Sequence, residues 1–114
     1  MDKLLQELNL SFYPPSPLQA GHNACPGCGS TTAARLVFEA LQEPIILFVP
    51  ASCASLYFNP ADTVSLLNGP IVHTTFPGAF AQAEGMAVGL QRQGRTERVV
   101  VWAGDGATYD IGLG

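Results

Sequence analysis

Three candidate strands, separated by segments with helical spacing, most restrict the folds that this chain can adopt. They are IILFV at residues 45–49, PIVHTT at residues 70–75 and RVVVWA at residues 98–103. IILFV is a short continuous apolar run, which is typical of strands that are buried on both faces in parallel sheets. The pattern therefore predicts an α/β fold with a parallel sheet flanked by helices.

An amphipathic pattern before the first run predicts a helix. In TTAARLVFEALQE, residues 31–43, apolar side chains recur at helical spacing, and Pro44 marks the end of the pattern. The recurring residues are Ala33, Leu36, Val37, Ala40 and Leu41. Hydroxyl side chains at its start are suited to accept a hydrogen bond from a free backbone N–H at a helix N-terminus. The candidate N-caps are Ser30, Thr31 and Thr32.

A second helix is expected from about Gly78 to Gln93, and it carries a row of small residues. Ala81, Gly85 and Gly89 follow one another at intervals of four. Because an interior glycine costs about 1 kcal/mol relative to alanine, such a row indicates that another backbone comes close. Two interpretations stay open: tight packing on the chain's own sheet, or packing on a partner subunit or beside a cofactor.

The low content of charged residues limits the partners of the chain. Of its 114 residues 12% are charged, the net charge is −4, and the five Lys and Arg residues are scattered. We therefore expect no nucleic-acid partner, and we expect other protein to cover much of the surface. The N-terminal segment has neither the apolar core of a signal peptide nor a membrane span, which predicts a cytoplasmic protein.

The sequence divides into two parts at about residue 20. Residues 1–20 end in a proline-rich stretch that keeps the backbone extended, which predicts an N-terminal arm or connector. Residues 21–114 hold all of the motifs discussed below and form the expected domain.

Three cysteines lie where a soft metal could be bound. Cys25 and Cys28 form a C-x-x-C just before the first predicted helix, and Cys53 lies in PASCAS after the first strand. In a reducing compartment such a pair more often binds metal or does redox chemistry than forms a disulfide. The residues alone leave three interpretations open, in this order of preference: an iron–sulfur cluster, a zinc site completed by His22, and a thioredoxin-like dithiol. Outside a metal site, His22 is expected to fix its loop by a hydrogen bond, and His73 to have a structural place in or beside a strand.

The sequence GDG at residues 104–106 follows the third strand, where backbone N–H groups can face a diphosphate. A dinucleotide-binding G-x-G-x-x-G would need a glycine at the position of Tyr109, so that motif is excluded. Asp105 would repel a diphosphate unless a cation lay between them, which suggests Mg²⁺ or Ca²⁺. Taken alone, GDG also fits an ordinary turn.

In combination these motifs resemble the β subunits of the 2-oxoacid:ferredoxin oxidoreductases, most closely the pyruvate enzyme, pyruvate synthase. The resemblance rests on GHNACPGCG, the cysteine in PASCAS, the Gly/Ala-rich helix and AGDGATYDIGLG in that order, and it covers residues 21–114. It implies a thiamine diphosphate-binding fold in which GDG begins the cofactor motif. It also implies that Cys25, Cys28 and Cys53 are the first three ligands of a [4Fe–4S] cluster.

The resemblance further implies roles for single residues. Asp105 would bind Mg²⁺, and Cys53 would face both the cluster and the thiamine. Ser30 stands where some relatives carry an acidic residue close to the cofactor. No catalytic residue is named in this chain, because the resemblance implies that the catalytic glutamate comes from the α part of the enzyme. The residues that would lie against the diphosphate are Gly104, Gly106 and Ala107.

The implied activity is the CoA-dependent oxidative decarboxylation of a 2-oxoacid, with pyruvate as the expected substrate. Electrons would pass to ferredoxin, and the chain would work in a complex with α and other subunits. The Asn that ends the family's thiamine motif and its fourth cluster cysteine are absent from this sequence. The chain is therefore expected to be an N-terminal fragment, with its fold truncated at the C-terminal side, and to be inactive alone.

Two alternatives to this function stay open. The first is a non-catalytic or zinc-binding assembly fragment of the same fold. The second is a small redox protein that uses Cys25 and Cys28 as a dithiol and has no need of Cys53.

Overall fold

The computed structural model describes residues 18–59 and 65–113. Most of the predicted N-terminal arm, residues 1–20, lies outside the described residues, and the proposed division of the chain stays a prediction. The described part begins with Leu18, which forms an antiparallel bridge with Leu67. The elements that follow are, in order, α1 Gly29–Leu41, β1 Ile45–Pro50, α2 Ala54–Tyr57, β2 Ile71–Thr74, α3 Ala79–Arg92, β3 Arg98–Val101 and α4 Asp105–Tyr109.

The three predicted strands form one parallel sheet in the order β2-β1-β3. Leu47, in the middle of β1, pairs with Ile71 on one side and with Val100 on the other. β1 takes the centre because it is the most apolar of the three strands and is buried along nearly its whole length. The structure thus confirms an α/β fold with a parallel sheet flanked by helices, and it is compatible with a thiamine diphosphate-binding fold.

The third strand is shorter than predicted. β3 ends at Val101 rather than at residue 103, although the backbone N–H of Trp102 still donates to the Phe48 carbonyl at 3.0 Å. The chain leaves the sheet there because the residues that follow turn into α4.

The main core lies on one face of the sheet. Leu47 and Val49 of β1 share a buried cluster with Ala34 and Phe38 of α1 and with the aromatic end of α2. The rings of Phe38 and Phe58 meet edge to face at 5.6 Å, an arrangement that stabilises aromatic pairs. On the opposite face Phe48 is buried on the side where α3 packs against β1 and β3.

The start of α1 differs from the sequence-based expectation. Its N-cap is Cys28, with extended backbone and no side-chain cap hydrogen bond, so the three hydroxyl candidates are wrong as caps. The helix begins two residues earlier than predicted, and the Thr31 hydroxyl instead donates to the Cys28 carbonyl at 2.8 Å. This bond places the cysteine pair directly on the first turn of α1.

The small-residue row of α3 faces outward. Ala81, Gly85 and Gly89 are exposed, and a Cβ built on either glycine would meet nothing within 4 Å. Gly85 and Gly89 line an open groove of about 730 Å³ beside Ile46 and Val72 of the sheet. In the described structure the two glycines therefore do not pack tightly on the chain's own sheet, which was one of the two interpretations of this row.

A surface ion pair joins β3 to the connection between α1 and β1. Arg98 Nε donates to Glu43 Oε2 at 2.6 Å, and this hydrogen bond, with the charge of the guanidinium, lowers the pKa of the Glu43 carboxyl. A carboxylate with a lowered pKa in the folded state stabilises that state above the unfolded pKa and loses the effect as the pH falls. Because both side chains are about half exposed, the contribution is small.

None of the helices within residues 18–59 and 65–113 combines the length and the apolar character that a membrane span requires.

We predict that Leu47→Ala and Leu36→Ala differ sharply although the chemical change is the same. Leu47 is 0% exposed in the central strand, so its truncation leaves a cavity and lowers the free energy of unfolding by about 2–5 kcal/mol. Leu36 on α1 is 66% exposed, so its truncation changes that free energy by no more than about 0.5 kcal/mol. Urea unfolding followed by circular dichroism measures both, and equal losses would contradict the core described here.

Candidate functional site

The candidate site lies at the edge of the sheet where all three strands end. Because the strands are parallel, their carboxyl ends meet at the same edge, and the segments that follow them lie side by side. The segment after β1 carries Cys53, and the segment after β3 carries Asp105. Predictions made separately for PASCAS and for GDG thus refer to one edge of one sheet.

Close packing joins these two segments. A Cβ on Gly104 would lie 3.3 Å from the Cβ of Ser52, a distance that leaves little room for a side chain. Ser52 precedes Cys53 and Gly104 precedes Asp105, so the contact sets the two motif residues on neighbouring backbones. Glycine at 104 is explained by this approach of Ser52, since its own backbone is extended and open to any residue.

The GDG segment folds as the first turn of a short helix. Gly104 is the N-cap of α4, and its carbonyl accepts hydrogen bonds from the backbone N–H of Thr108 at 3.1 Å and from its hydroxyl at 2.7 Å. Ala107 is fully buried, whereas Asp105 is exposed. Asp105 takes part in neither of the ion pairs found among residues 18–59 and 65–113, which leaves its carboxylate open to solvent.

The Cys53 segment is held by a set of local hydrogen bonds. The Ser55 hydroxyl donates to the Ser52 carbonyl at 2.5 Å, and the Ser52 hydroxyl donates to the Pro50 carbonyl at 2.9 Å. Cys53 itself is the N-cap of α2 and is exposed. The thiol is thus presented from a fixed turn at the carboxyl end of β1, as the sequence predicted.

The C-x-x-C segment forms a tight turn. The backbone N–H of Cys28 donates to the Cys25 carbonyl at 3.1 Å, and Gly27 has a φ of 74°, in the left-handed region that favours glycine. Proline followed by glycine at the two central positions is the signature of a type II turn. The turn places Cys25 exposed and Cys28 partly buried at the start of α1.

The two histidines, for which the sequence predicted structural roles outside a metal site, both have hydrogen-bond partners. His22 Nδ1 accepts a hydrogen bond from the Ala24 backbone N–H at 3.2 Å, which confirms its expected loop-fixing role. His73 lies in β2 and its Nε2 contacts the Phe58 carbonyl at 2.5 Å, which confirms its structural place. Ser30, in the first turn of α1, is hydrogen-bonded to the Tyr57 hydroxyl.

The donor chemistry suits a soft metal, but the ligand set is not assembled. Cys25, Cys28 and Cys53 are all free thiols in two segments of this structure. Thiolates favour iron–sulfur clusters and zinc. Within residues 18–59 and 65–113, however, no group of three or more His, Cys, Asp or Glu side chains is arranged to hold a metal ion. The assignment of these cysteines and of Asp105 to metals therefore stays a prediction.

Sequence reasoning missed the residues that hold this edge together. Neither α2 nor α4 was predicted, because both are too short to show a helical period. Ser52 and Phe76 were not singled out either, although they pack within 3.3 Å of the Cβ positions of Gly104 and Gly106. The two glycines were the available signal, since a glycine beside a strand end indicates a close approach.

Comparison with known proteins gives relatives over most of the chain. It is 39% identical over 100 residues to the ketoisovalerate oxidoreductase subunit VorB of Pyrococcus horikoshii, a match that covers 82% of this chain and 32% of VorB. It is 36% identical over 97 residues to the pyruvate synthase subunit PorB of Methanothermobacter marburgensis, covering 84% of this chain and 33% of PorB. For PorB of Methanosarcina barkeri the identity is 32% over 103 residues, with 89% of this chain and 34% of PorB covered.

The chain thus spans about a third of the length of these curated relatives. No protein-family model matches the chain.

We predict opposite effects for two glycine-to-alanine changes. Gly104→Ala places a methyl group 3.3 Å from Ser52 and lowers the free energy of unfolding by about 1–3 kcal/mol through overpacking. Ser52→Gly removes the opposing Cβ but also the Ser52 hydroxyl, which donates to the Pro50 carbonyl, so it has a cost of its own. In the Ser52→Gly background the further cost of Gly104→Ala should therefore fall below about 0.5 kcal/mol. Gly85→Ala, in the interior of α3 with nothing within 4 Å, raises the free energy of unfolding by up to about 1 kcal/mol. Thermal unfolding of the single and double variants measures these effects, and an equal cost of Gly104→Ala with and without the Ser52 side chain would contradict the contact.

Proposed function

We propose that this chain, which belongs to the family of β subunits of 2-oxoacid:ferredoxin oxidoreductases, binds thiamine diphosphate and carries cluster ligands in such an enzyme. The proposed reaction is the CoA-dependent oxidative decarboxylation of a 2-oxoacid, with electrons leaving through an iron–sulfur cluster to ferredoxin. The proposed enzyme is an assembly of this chain with α and other subunits, located in the cytoplasm. The proposal includes partner subunits because the chain spans only about a third of the length of its relatives.

The observation that carries the proposal is the contact between Ser52 and Gly104. It brings the segment of a candidate cluster ligand, Cys53, against the segment of a candidate magnesium ligand, Asp105. An enzyme that removes electrons from a thiamine-bound substrate needs its electron acceptor beside the cofactor. A fold that served assembly alone would not need these two motifs at one place.

The GDG segment supplies groups that fit a magnesium diphosphate. The Asp105 carboxylate is exposed and is a hard oxygen ligand of the kind that Mg²⁺ prefers. Ser52 and Phe76 border the space that side chains at Gly104 and Gly106 would take, so a diphosphate would contact the backbone of this segment. The buried Ala107 could likewise offer only its backbone N–H. When bound, thiamine diphosphate supplies the carbanion stabilisation on which decarboxylation of 2-oxoacids depends.

The three cysteines would hold a [4Fe–4S] cluster together with a ligand from outside these residues. The chain has only three cysteines, and a four-thiolate cluster needs one more. Cys53 follows the central strand and Cys25 and Cys28 precede α1, so the cluster would join two segments of the core. Ser30, close to Cys28, would lie on the cofactor side of this site.

The names of the relatives support the proposed substrate class. Ketoisovalerate and pyruvate are both 2-oxoacids, and proteins named for each match this chain at similar identity. We propose pyruvate or a branched 2-oxoacid as the substrate.

One observation favours a second function, that of a non-catalytic assembly domain that binds zinc or no metal. In the part of the chain that the structure describes, no three potential ligands are gathered around a metal position. This function keeps the fold and the partner subunits but predicts neither a cluster nor thiamine binding.

Anaerobic purification of the chain, alone and with its partner subunits, distinguishes the two functions. We expect about four iron and four sulfide per chain, with an EPR signal that appears after reduction, because three thiolates with one added ligand suit a [4Fe–4S] cluster. Cys53→Ala should remove most of the iron, whereas Leu56→Ala, which truncates an exposed side chain of the same short helix, should retain it. Zinc in place of iron, or no metal at all, would support the assembly function instead.

Thiamine binding tests the GDG segment separately. Asp105→Ala should abolish Mg²⁺-dependent binding of thiamine diphosphate by the assembled protein, since the diphosphate would lose its cation bridge. Asp110→Ala removes a second exposed carboxylate five residues further along and should leave binding unchanged. Isothermal titration calorimetry measures both affinities, and unaltered binding in Asp105→Ala would rule out the assignment of this residue.

A further inference from the structure

One buried hydroxyl group joins the three segments that carry the candidate site. Tyr57 is only 1% exposed, and its oxygen is hydrogen-bonded both to Ser30 Oγ and to Trp102 Nε1, the latter at 3.1 Å. Ser30 lies two residues after Cys28, Tyr57 lies four residues after Cys53, and Trp102 lies two residues before Gly104. Each segment proposed to hold a cofactor is thus tied to the same oxygen atom.

The chemistry of the groups fixes the direction of one of these hydrogen bonds. An indole N–H can only donate, so the Tyr57 oxygen accepts from Trp102. The bond between Tyr57 and Ser30 joins two hydroxyl groups, either of which can donate to the other. A buried chain of this kind, in which every group has its partner, holds its members in one arrangement.

The ring of Tyr57 is held independently of its hydroxyl group. It packs against Phe58 with ring centroids 4.9 Å apart, and Trp102 contacts both Phe38 at 5.7 Å and Phe58 at 6.2 Å. Removing the hydroxyl alone therefore leaves the aromatic packing in place. The effect of the hydrogen bonds can be separated from the effect of the core.

We propose that Tyr57 is a positioning residue, whose hydroxyl group sets the placement of the GDG segment relative to the two cysteine segments. This inference rests on the proposed function, because it assigns the placement a purpose in cofactor binding. The hydroxyl does not act on the reacting atoms. It acts through Trp102 on Gly104 and Asp105, and through Ser30 on the start of α1.

The test is Tyr57→Phe, with two readouts. Trp102 is the only tryptophan of the chain, so ¹⁵N-tryptophan labelling of the purified chain gives one indole N–H resonance. We expect hydrogen exchange of this N–H to become at least about tenfold faster in Tyr57→Phe, because it loses its acceptor. We also expect the Kd of the assembled protein for Mg²⁺-thiamine diphosphate to rise about tenfold, the equivalent of 1.4 kcal/mol.

The matched control is Tyr109→Phe, which removes a hydroxyl group that is 79% exposed on α4. It should change neither the indole exchange nor the Kd. Unchanged indole exchange in Tyr57→Phe would overturn the inference, because the hydrogen bond would then not exist in solution. Faster exchange with an unchanged Kd would overturn it as well, since the hydroxyl would then serve only the core.

The proposed function is tested separately, by thiamine diphosphate binding to the unmodified assembled protein. If the unmodified assembled protein binds no thiamine diphosphate, the proposed function fails and the positioning role fails with it. If the unmodified protein binds and Tyr57→Phe binds equally well, only the positioning role is overturned.

Discussion

β1 is paired in parallel with a strand on each side, and the rest of the structure depends on this pairing. The register that aligns Leu47 with Ile71 and with Val100 brings the carboxyl ends of the three strands to one edge of the sheet. The burial of Leu47 and Val49 against α1 stabilises the arrangement through the area removed from water. A shift of the register by one residue would turn these side chains to the other face and would separate the segments at the strand ends.

Strand ends that meet at one edge of a sheet are common to α/β folds. Here close packing at that edge also brings two motif-bearing segments together. The backbones of Ser52 and Gly104 approach so closely that a side chain at 104 would have to displace its neighbour. The buried hydroxyl of Tyr57 adds a polar connection from the same edge to the start of α1. Cys25, Cys53 and Asp105 are exposed, whereas Tyr57, which connects their segments, is buried, as expected of a site that is open to a ligand on a rigid support.

Apolar surface is left open on the opposite face of the sheet and on the outer side of α3. Gly85 and Gly89 border a groove over Ile46 and Val72, and Met86 and Val88 are exposed on the same helix. These open apolar surfaces agree with the low content of charged residues in the sequence. VorB and PorB, to which this chain is similar, are each about three times as long as the part that matches it.

The sequence by itself determined the local structure and the chemistry of the motifs. Apolar runs and helical spacing predicted all three strands and both long helices within a few residues, because burial on a strand or a helix face imposes a short period on neighbouring residues. The backbone preferences of Pro26 and Gly27 are local as well, and these residues form the tight turn between the two cysteines. The cysteines and GDG likewise indicated chemistry without any knowledge of their surroundings.

Only the tertiary structure decided which of these residues meet. In α1 the apolar row that contains Leu36 and Val37 was the wrong choice of face, because those side chains are exposed. Ala34 and Phe38 are buried instead, since the face that the sheet covers is not set by periodicity alone. Ser52 and Gly104 are far apart in sequence, and their contact follows from the parallel register of β1 and β3. Tyr57 lies on a helix that is too short to show a helical period in the sequence. The partners of its hydroxyl group come from the start of α1 and from the connection that follows β3. Contacts of this kind depend on the relative placement of whole strands and helices, which no local pattern in the sequence contains.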